Sequence, residues 1–308
     1  MPFVADSHLK REVAGQPDDW AAVVARLDEL APALPPRGVR LAVVGCGTSY
    51  FMAQSYAWLR ESGGRGETDA FAASESRLER AYEHVLALSR SGTTTEVLDV
   101  LRILRERGTP TTVVTAVPGS PAADLADQVV LLPEVDEQSV VQTRFATSAL
   151  ALLRASLGED LGRAVADART VLAEPEESAL AGLADAEQVT FVGTGWSVGL
   201  AVEAALKLRE SAQFWSESYP AMEYRHGPIS TAGPGAAVWF LDPPPDGLAA
   251  EVTATGAVAI EAVGDPLAEL VRVQRLALAI AEARGLDPDH PPHLTRAVVL
   301  DLAPEEAR

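Results

Sequence analysis

Residues 206–228 read LKLRESAQFWSESYPAMEYRHGP and carry one lysine, three glutamates, two arginines and one histidine. With Glu203 just upstream, Lys207 and Glu210 follow at i,i+4 and i,i+3, which places all three on one side of a helix expected over about 198–213. On a solvated face such pairs do no chemistry and contribute only a few tenths of a kcal/mol, roughly. The surrounding AVEAALKL is apolar enough to bury that side, and a carboxylate beside an ammonium out of water becomes a tunable acid or base. His226 precedes a Gly-Pro turn that fixes its backbone. A lone histidine is more often structural, and this one gains weight only from its neighbours. Arg209, Glu217, Glu223 and Arg225 read as structural or interface charges.

The stretch LALSRSGTTTEVLDVL (86–101) offers different chemistry. After an apolar strand it places Ser89, Ser91, Thr93, Thr94 and Thr95 around a glycine, and Thr93 to Glu96 has capping-box spacing into a helix. Such a loop can wrap a phosphate with hydroxyls and backbone N–H groups, while Arg90 adds a charge-assisted contact. It has neither a P-loop lysine nor an acidic ribose partner, so a small phosphoester fits better than a nucleotide. VGCGTSY (44–50) is a weaker signal: two glycines turn the chain, and Thr48 and Ser49 stand at a helix N-terminus that favours an anion.

These residues need elements to hold them. Strands are expected at 39–45, 68–73, 83–88, 111–117, 128–133, 188–193, 236–241 and 257–264, with helical patterns between them, including 145–157 and 161–185. That alternation indicates βαβ units and a mainly parallel sheet. VGCGTS at 44–49 lines up with VGTGWS at 192–197, and LRES at 59–62 with LRES at 208–211. The fold class is therefore α/β, as two similar doubly wound halves. The expected division is an N-terminal helical segment (1–31) packing onto one half, a first domain (32–160), a helical connection (161–186) and a second domain (187–308). After AAVWFL the second half reads DPPPDG, with no hydroxyl residue, so only the first half keeps an anion loop.

A chain of 308 residues with 47% hydrophobic content suits a globular protein of one large or two ordinary domains. The net charge of -19 argues against nucleic-acid and anionic-membrane partners, so an anionic substrate needs a site that opposes the global field. One cysteine, Cys46, excludes an intramolecular disulfide and supplies no metal framework. Without a secretion signal or a long apolar run, a cytoplasmic location is expected.

VGCGTSY, SRSGTTTEV, ALKLRES and EYRHGP stand in the order and spacing of the SIS (sugar isomerase) phosphosugar-binding family. From REVAGQPDDW to DPDHPPHLTRAV, the chain resembles the tandem SIS domains of glucosamine-6-phosphate synthase and of stand-alone amino-sugar-6-phosphate deaminase/isomerases and ketosamine-6-phosphate deglycases. The synthase's glutamine-hydrolysing domain has no counterpart, so ammonia donation is not expected. The resemblance implies that Thr48, Ser49, Ser89, Arg90, Ser91 and Thr94 surround the sugar phosphate, with Val140 and Gln142 near the sugar. It implies that Glu210 moves a proton between C1 and C2, Lys207 polarises oxygens there, and His226 assists ring opening, often across a subunit interface. Arg296 stands where the family commonly has a lysine that can form a Schiff base; arginine is a poor imine former, which leaves it contact with substrate oxygens. Arg90 replaces a neutral amide of the synthase. The expected protein is a homodimeric enzyme, without metal or organic cofactor, that isomerises a 6-phosphosugar, foremost an amino-sugar 6-phosphate, with or without loss of the amine. A ketosamine-6-phosphate deglycase and a non-catalytic phosphosugar sensor are the alternatives.

Overall fold

The computed structural model describes residues 7–175, 183 and 186–300. The chain opens with α1 (His8–Ala25) and α2 (Leu27–Leu30). It continues through β1 (Leu41–Gly45), α3 (Thr48–Ser62), β2 (Thr68–Ala72), β3 (His84–Leu88), α4 (Thr95–Arg107), β4 (Thr111–Thr115), α5 (Pro121–Leu125), β5 (Gln128–Leu131) and α6 (Arg144–Ser156). After α7 (Gly162–Ala173) come β6 (Gln188–Gly193), α8 (Ser197–Ala212), β7 (Ser216–Pro220), α9 (Ala221–Arg225), β8 (Ala236–Phe240), α10 (Leu248–Ala254), β9 (Val258–Glu261) and α11 (Pro266–Arg284). Of the helix expected over 161–185, α7 supplies the first part; most of 176–185 lies outside the described residues.

Two parallel sheets result, ordered β2-β1-β3-β4-β5 and β7-β6-β8-β9. β1, β3 and β4 are buried along their whole length, as strands covered on both faces must be, which explains their continuous apolar or threonine-rich sequences. All eight expected strands are present. β7 is an additional strand: SESYP is polar, half-exposed and ends in proline, and it forms because it lies at a sheet edge where only β6 pairs with it.

In each sheet the chain leaves a central strand for one edge and returns on its other side. The strand order thus reverses between β1 and β3, and again between β6 and β8. A crevice opens at such a switch point beyond the C-terminal strand ends. VGCGTSY follows β1 and SRSGTTT follows β3, so both loops meet at the first crevice.

The two sheets share one core. Leu41 and Val43 of β1 join Val189 and Phe191 of β6, with α1, α6, α7, α8 and α11 between them, while Ala42 and Val44 face a separate outer cluster. Contrary to the expectation of packing on one half, α1 lies against α6, α7 and α11 together. The Trp20 indole N–H donates to Thr147 (2.9 Å) and the Gln16 amide to Gln274. The halves also meet where α3 crosses α8. There a Cβ on Gly199 would stand 2.4 Å from the Phe51 carbonyl oxygen and from Ser55 Oγ, so only glycine allows this approach. Among the described residues no helix is long and apolar enough to cross a membrane.

Candidate active site

One cleft gathers most of the residues singled out from the sequence. Thr48, Ser49, Ser89, Arg90, Ser91, Thr94, Val140, Gln142, Glu210 and Arg296 all line it, joined by Cys46 and by Thr295, Ala297 and Val298. The N-termini of α3 and α4 open onto it at Thr48 and Thr94, so two helix dipoles present positive ends in a protein of net charge -19.

The serine–threonine loop is organised by its own hydroxyls. Ser89 Oγ accepts from the Gly92 N–H (3.2 Å), and Ser91 Oγ accepts from the Thr93 N–H (3.2 Å) and Thr93 Oγ1 (2.9 Å). Gly92 has φ +63°, and a Cβ there would collide with Ser120, so the turn requires glycine. The expected capping box is absent. Thr94 is the N-cap, one residue later than the spacing suggested, and Thr93 is drawn to Ser91 instead. Gln142 donates to Ser49 Oγ (3.3 Å), tying the 140–142 segment to the first glycine turn.

Arg90 lines the cleft, but its terminal nitrogens are turned to protein acceptors. Its guanidinium is buried against Glu137 (3.0 Å), a carboxylate sealed from water, and also donates to the carbonyls of Ser139, Val140 and Arg296. Burial pushes the Glu137 carboxyl up and the Arg90 charge opposes that shift. A buried acid needs its counter-ion, and that need claims the arginine. Within acidic PEVDEQSV, Glu137 reads as a solvated charge, so no sequence signal marked it. Arg296 turns its guanidinium to Asp136 and to the Glu137 carbonyl.

On α8, Lys207 is 1% exposed, and its Nζ donates to Glu210 (2.5 Å) and to Thr48 Oγ1 (3.2 Å) and stands 3.3 Å from Glu203. These are not surface ion pairs. Burial works against the ammonium, but Glu203 and Glu210 outweigh it and hold Lys207 above its ordinary range. Burial raises Glu203 to about 8; Lys207 opposes the shift and Glu210 adds to it. Glu210 reaches the cleft while Lys207 stands directly behind it. His226 is not brought to this cleft within the chain: it follows α9 and is exposed.

The second half's corresponding place is altered. Val44 pairs with Ala87 and Val192 with Phe240, so Ser89 and Asp242, each two residues beyond the paired one, occupy matching positions. Burial pushes the Asp242 carboxyl up against contacts from Ser197 and the Thr194 backbone. A carboxyl there disfavours a phosphate. Trp58 further covers Gly195, its ring 2.7 Å from where a Cβ would stand. Among the described residues no cluster of His, Cys, Asp and Glu is placed to hold a metal ion.

Residues 37–157, which carry both anion-facing loops, match the family described as SIS domain. The match covers the first half of the molecule and not the second. The chain is 28% identical to glutamine–fructose-6-phosphate aminotransferase (isomerizing) of Pyrobaculum aerophilum, over 95% of this chain and 57% of that protein. The homonymous protein of Symbiobacterium thermophilum is 29% identical over the same shares. The chain thus spans little more than half the length of these relatives. Among solved structures, glucosamine-6-phosphate deaminase of Thermotoga maritima superposes with TM-score 0.78 at 26% identity, covering 96% of this chain and all of that one. Tagatose-6-phosphate ketose/aldose isomerase of Escherichia coli superposes with TM-score 0.77 at 17% identity, covering 98% and 97%, and so shares the fold.

Proposed function

We propose that this chain is an enzyme that isomerises a 6-phosphosugar between aldose and ketose forms, with an amino-sugar 6-phosphate as its substrate class. The observation that carries the reading is the convergence of Glu210, from the second half, with the hydroxyl loop of the first half on one cleft. In this reading the loop backbone, the two helix N-termini and the Ser89, Ser91, Thr94, Thr48 and Ser49 hydroxyls hold the phosphate. Val140 and Gln142 flank the sugar. Glu210 carries the proton between C1 and C2, and Lys207 orients Glu210 and stabilises the negative charge that develops on the enediol oxygens. The names of the relatives and structural neighbours support this chemistry.

The β2-β1-β3-β4 order recurs as β7-β6-β8-β9, which supports a second SIS domain over about 187–308, after a first over 32–160 and a connection over 161–186. His226, exposed on its own chain, is assigned to ring opening in the site of a partner copy, in a cytoplasmic homodimer.

Incubation with glucosamine-6-phosphate, galactosamine-6-phosphate, tagatose-6-phosphate and fructosyl-amino-acid 6-phosphates, with ammonia, amino acid and the product sugar assayed, tests the reading. Turnover of an amino-sugar 6-phosphate is expected. Thermal stabilisation by these compounds with no turnover of any would replace the enzyme with a sensor.

A further inference from the structure

We propose that Arg90 is a positioning residue that fixes the C-terminal segment 294–300 as a wall of the cleft, in place of the anion contact its location in the loop suggests. After α11, residues 286–300 form neither helix nor strand, yet they run from the second half back to the first. Asp289 starts the path: its carboxylate accepts the N–H groups of His8 (2.8 Å) and Leu9 (2.7 Å) at the start of α1, and its carbonyl accepts from Val140. Further on, Arg90 Nη2 donates to the Arg296 carbonyl (2.8 Å), the Thr95 N–H donates to the Val298 carbonyl (3.2 Å), and the Leu300 N–H donates to Thr95 Oγ1 (2.9 Å).

Arg90 joins three walls of the cleft. Its backbone belongs to the hydroxyl loop; its two terminal nitrogens reach Glu137, Ser139 and Val140 in one neighbouring segment and Arg296 in another. Every one of these partners is an acceptor, and the side chain is 4% exposed, so both terminal nitrogens are occupied within the protein, while Nε is buried without a hydrogen-bond partner. The contact with the tail is to a backbone oxygen, so it depends on where the tail runs rather than on which side chain stands at 296. Arg296 locks the same point from the other side by donating to the Glu137 carbonyl and Asp136. A planar fork reaches separate groups of acceptors from its two terminal nitrogens, whereas an ammonium must gather all of its acceptors around one atom.

Arg90→Lys separates this role from general support of the fold, because lysine can still neutralise Glu137 but cannot also span to the Arg296 carbonyl. Hydrogen exchange of the ligand-free protein, followed by mass spectrometry, is expected to show amides in 294–300 exchanging about tenfold faster in Arg90→Lys, as for loss of a charge-assisted bond, with β1 and β6 unchanged. The same variant is expected to raise KM for the phosphosugar about tenfold with kcat nearly unchanged, the pattern of weakened uniform binding. Unchanged exchange in 294–300, or exchange accelerated equally in β1 and β6, would overturn the proposal. The KM result rests on the phosphosugar reading; the exchange result does not. A loosened tail in a protein that turns over no phosphosugar would refute that reading and leave the role of Arg90 standing.

Discussion

Lys207 is the residue on which the site's electrostatics turn. A fully buried ammonium is tolerated because Glu210 pairs with it and Thr48 accepts from it, and the arrangement directs Glu210 into the cleft. The i,i+3 and i,i+4 spacing made this trio legible in the sequence. The division of labour within it was not, because it depends on which carboxylate faces solvent. Glu203 carries a consequence of its own. The folded protein holds its proton up to about pH 8, whereas an unfolded glutamate releases it near 4.5, so folding takes up a proton between those values. The stability from this group is therefore complete below about pH 4.5 and is lost as pH rises toward 8. Glu203→Gln is expected to flatten the decline in urea midpoint between pH 5 and pH 8, and a variant with the wild-type slope would contradict the assignment. Arg90 shows the opposite limit of sequence reading. Its place in the loop suggested an anion ligand, but its partner Glu137 comes from a segment 47 residues away that carried no signal.

Among the elements, α3 and α8 decide whether the site exists. The first ends its N-terminus at the cleft and the second brings Lys207 and Glu210 from the other half, and they approach closely because Gly199 has no side chain. Their start points were legible from the repeated glycine turns; their contact was not, since a glycine inside a helix reads only as a weak helix former. Gly199→Val is expected to force the helices apart, to lower stability by about 1–3 kcal/mol as overpacking does, and to reduce turnover more than the stability loss explains. Thermal midpoint and kcat measured on the same preparation check this; wild-type values for both would show that the crossing is not tight. The strands were legible where burial on both faces demands apolar runs. β7 escaped because its only neighbour is β6, and edge pairing tolerates SESYP.

At the scale of the molecule, the repeat in the sequence became two sheets of matching order around one shared core, with the cleft served by both halves. The duplication is asymmetric: Ser89 faces the cleft in one half, while Asp242 and Trp58 fill the matching place in the other. His226 extends the account beyond one chain. If it serves a partner's site, mixing Glu210→Gln with His226→Ala subunits gives heterodimers with one intact site of two. Random exchange makes about half the dimers mixed, so about a quarter of wild-type activity should return. Recovery of none would place His226 in its own chain's site, and a His226→Ala protein active by itself would place it outside the chemistry.

In the proposed reaction Glu210 transfers a proton on a phosphosugar held by the hydroxyl loop. Turnover of the responsive 6-phosphosugar by Glu210→Gln, measured beside its thermal stabilisation by the same compound, tests this most directly. Stabilisation is expected to persist while turnover falls by about a hundredfold or more, as for loss of a general acid–base group. A Glu210→Gln protein that kept full turnover would contradict it.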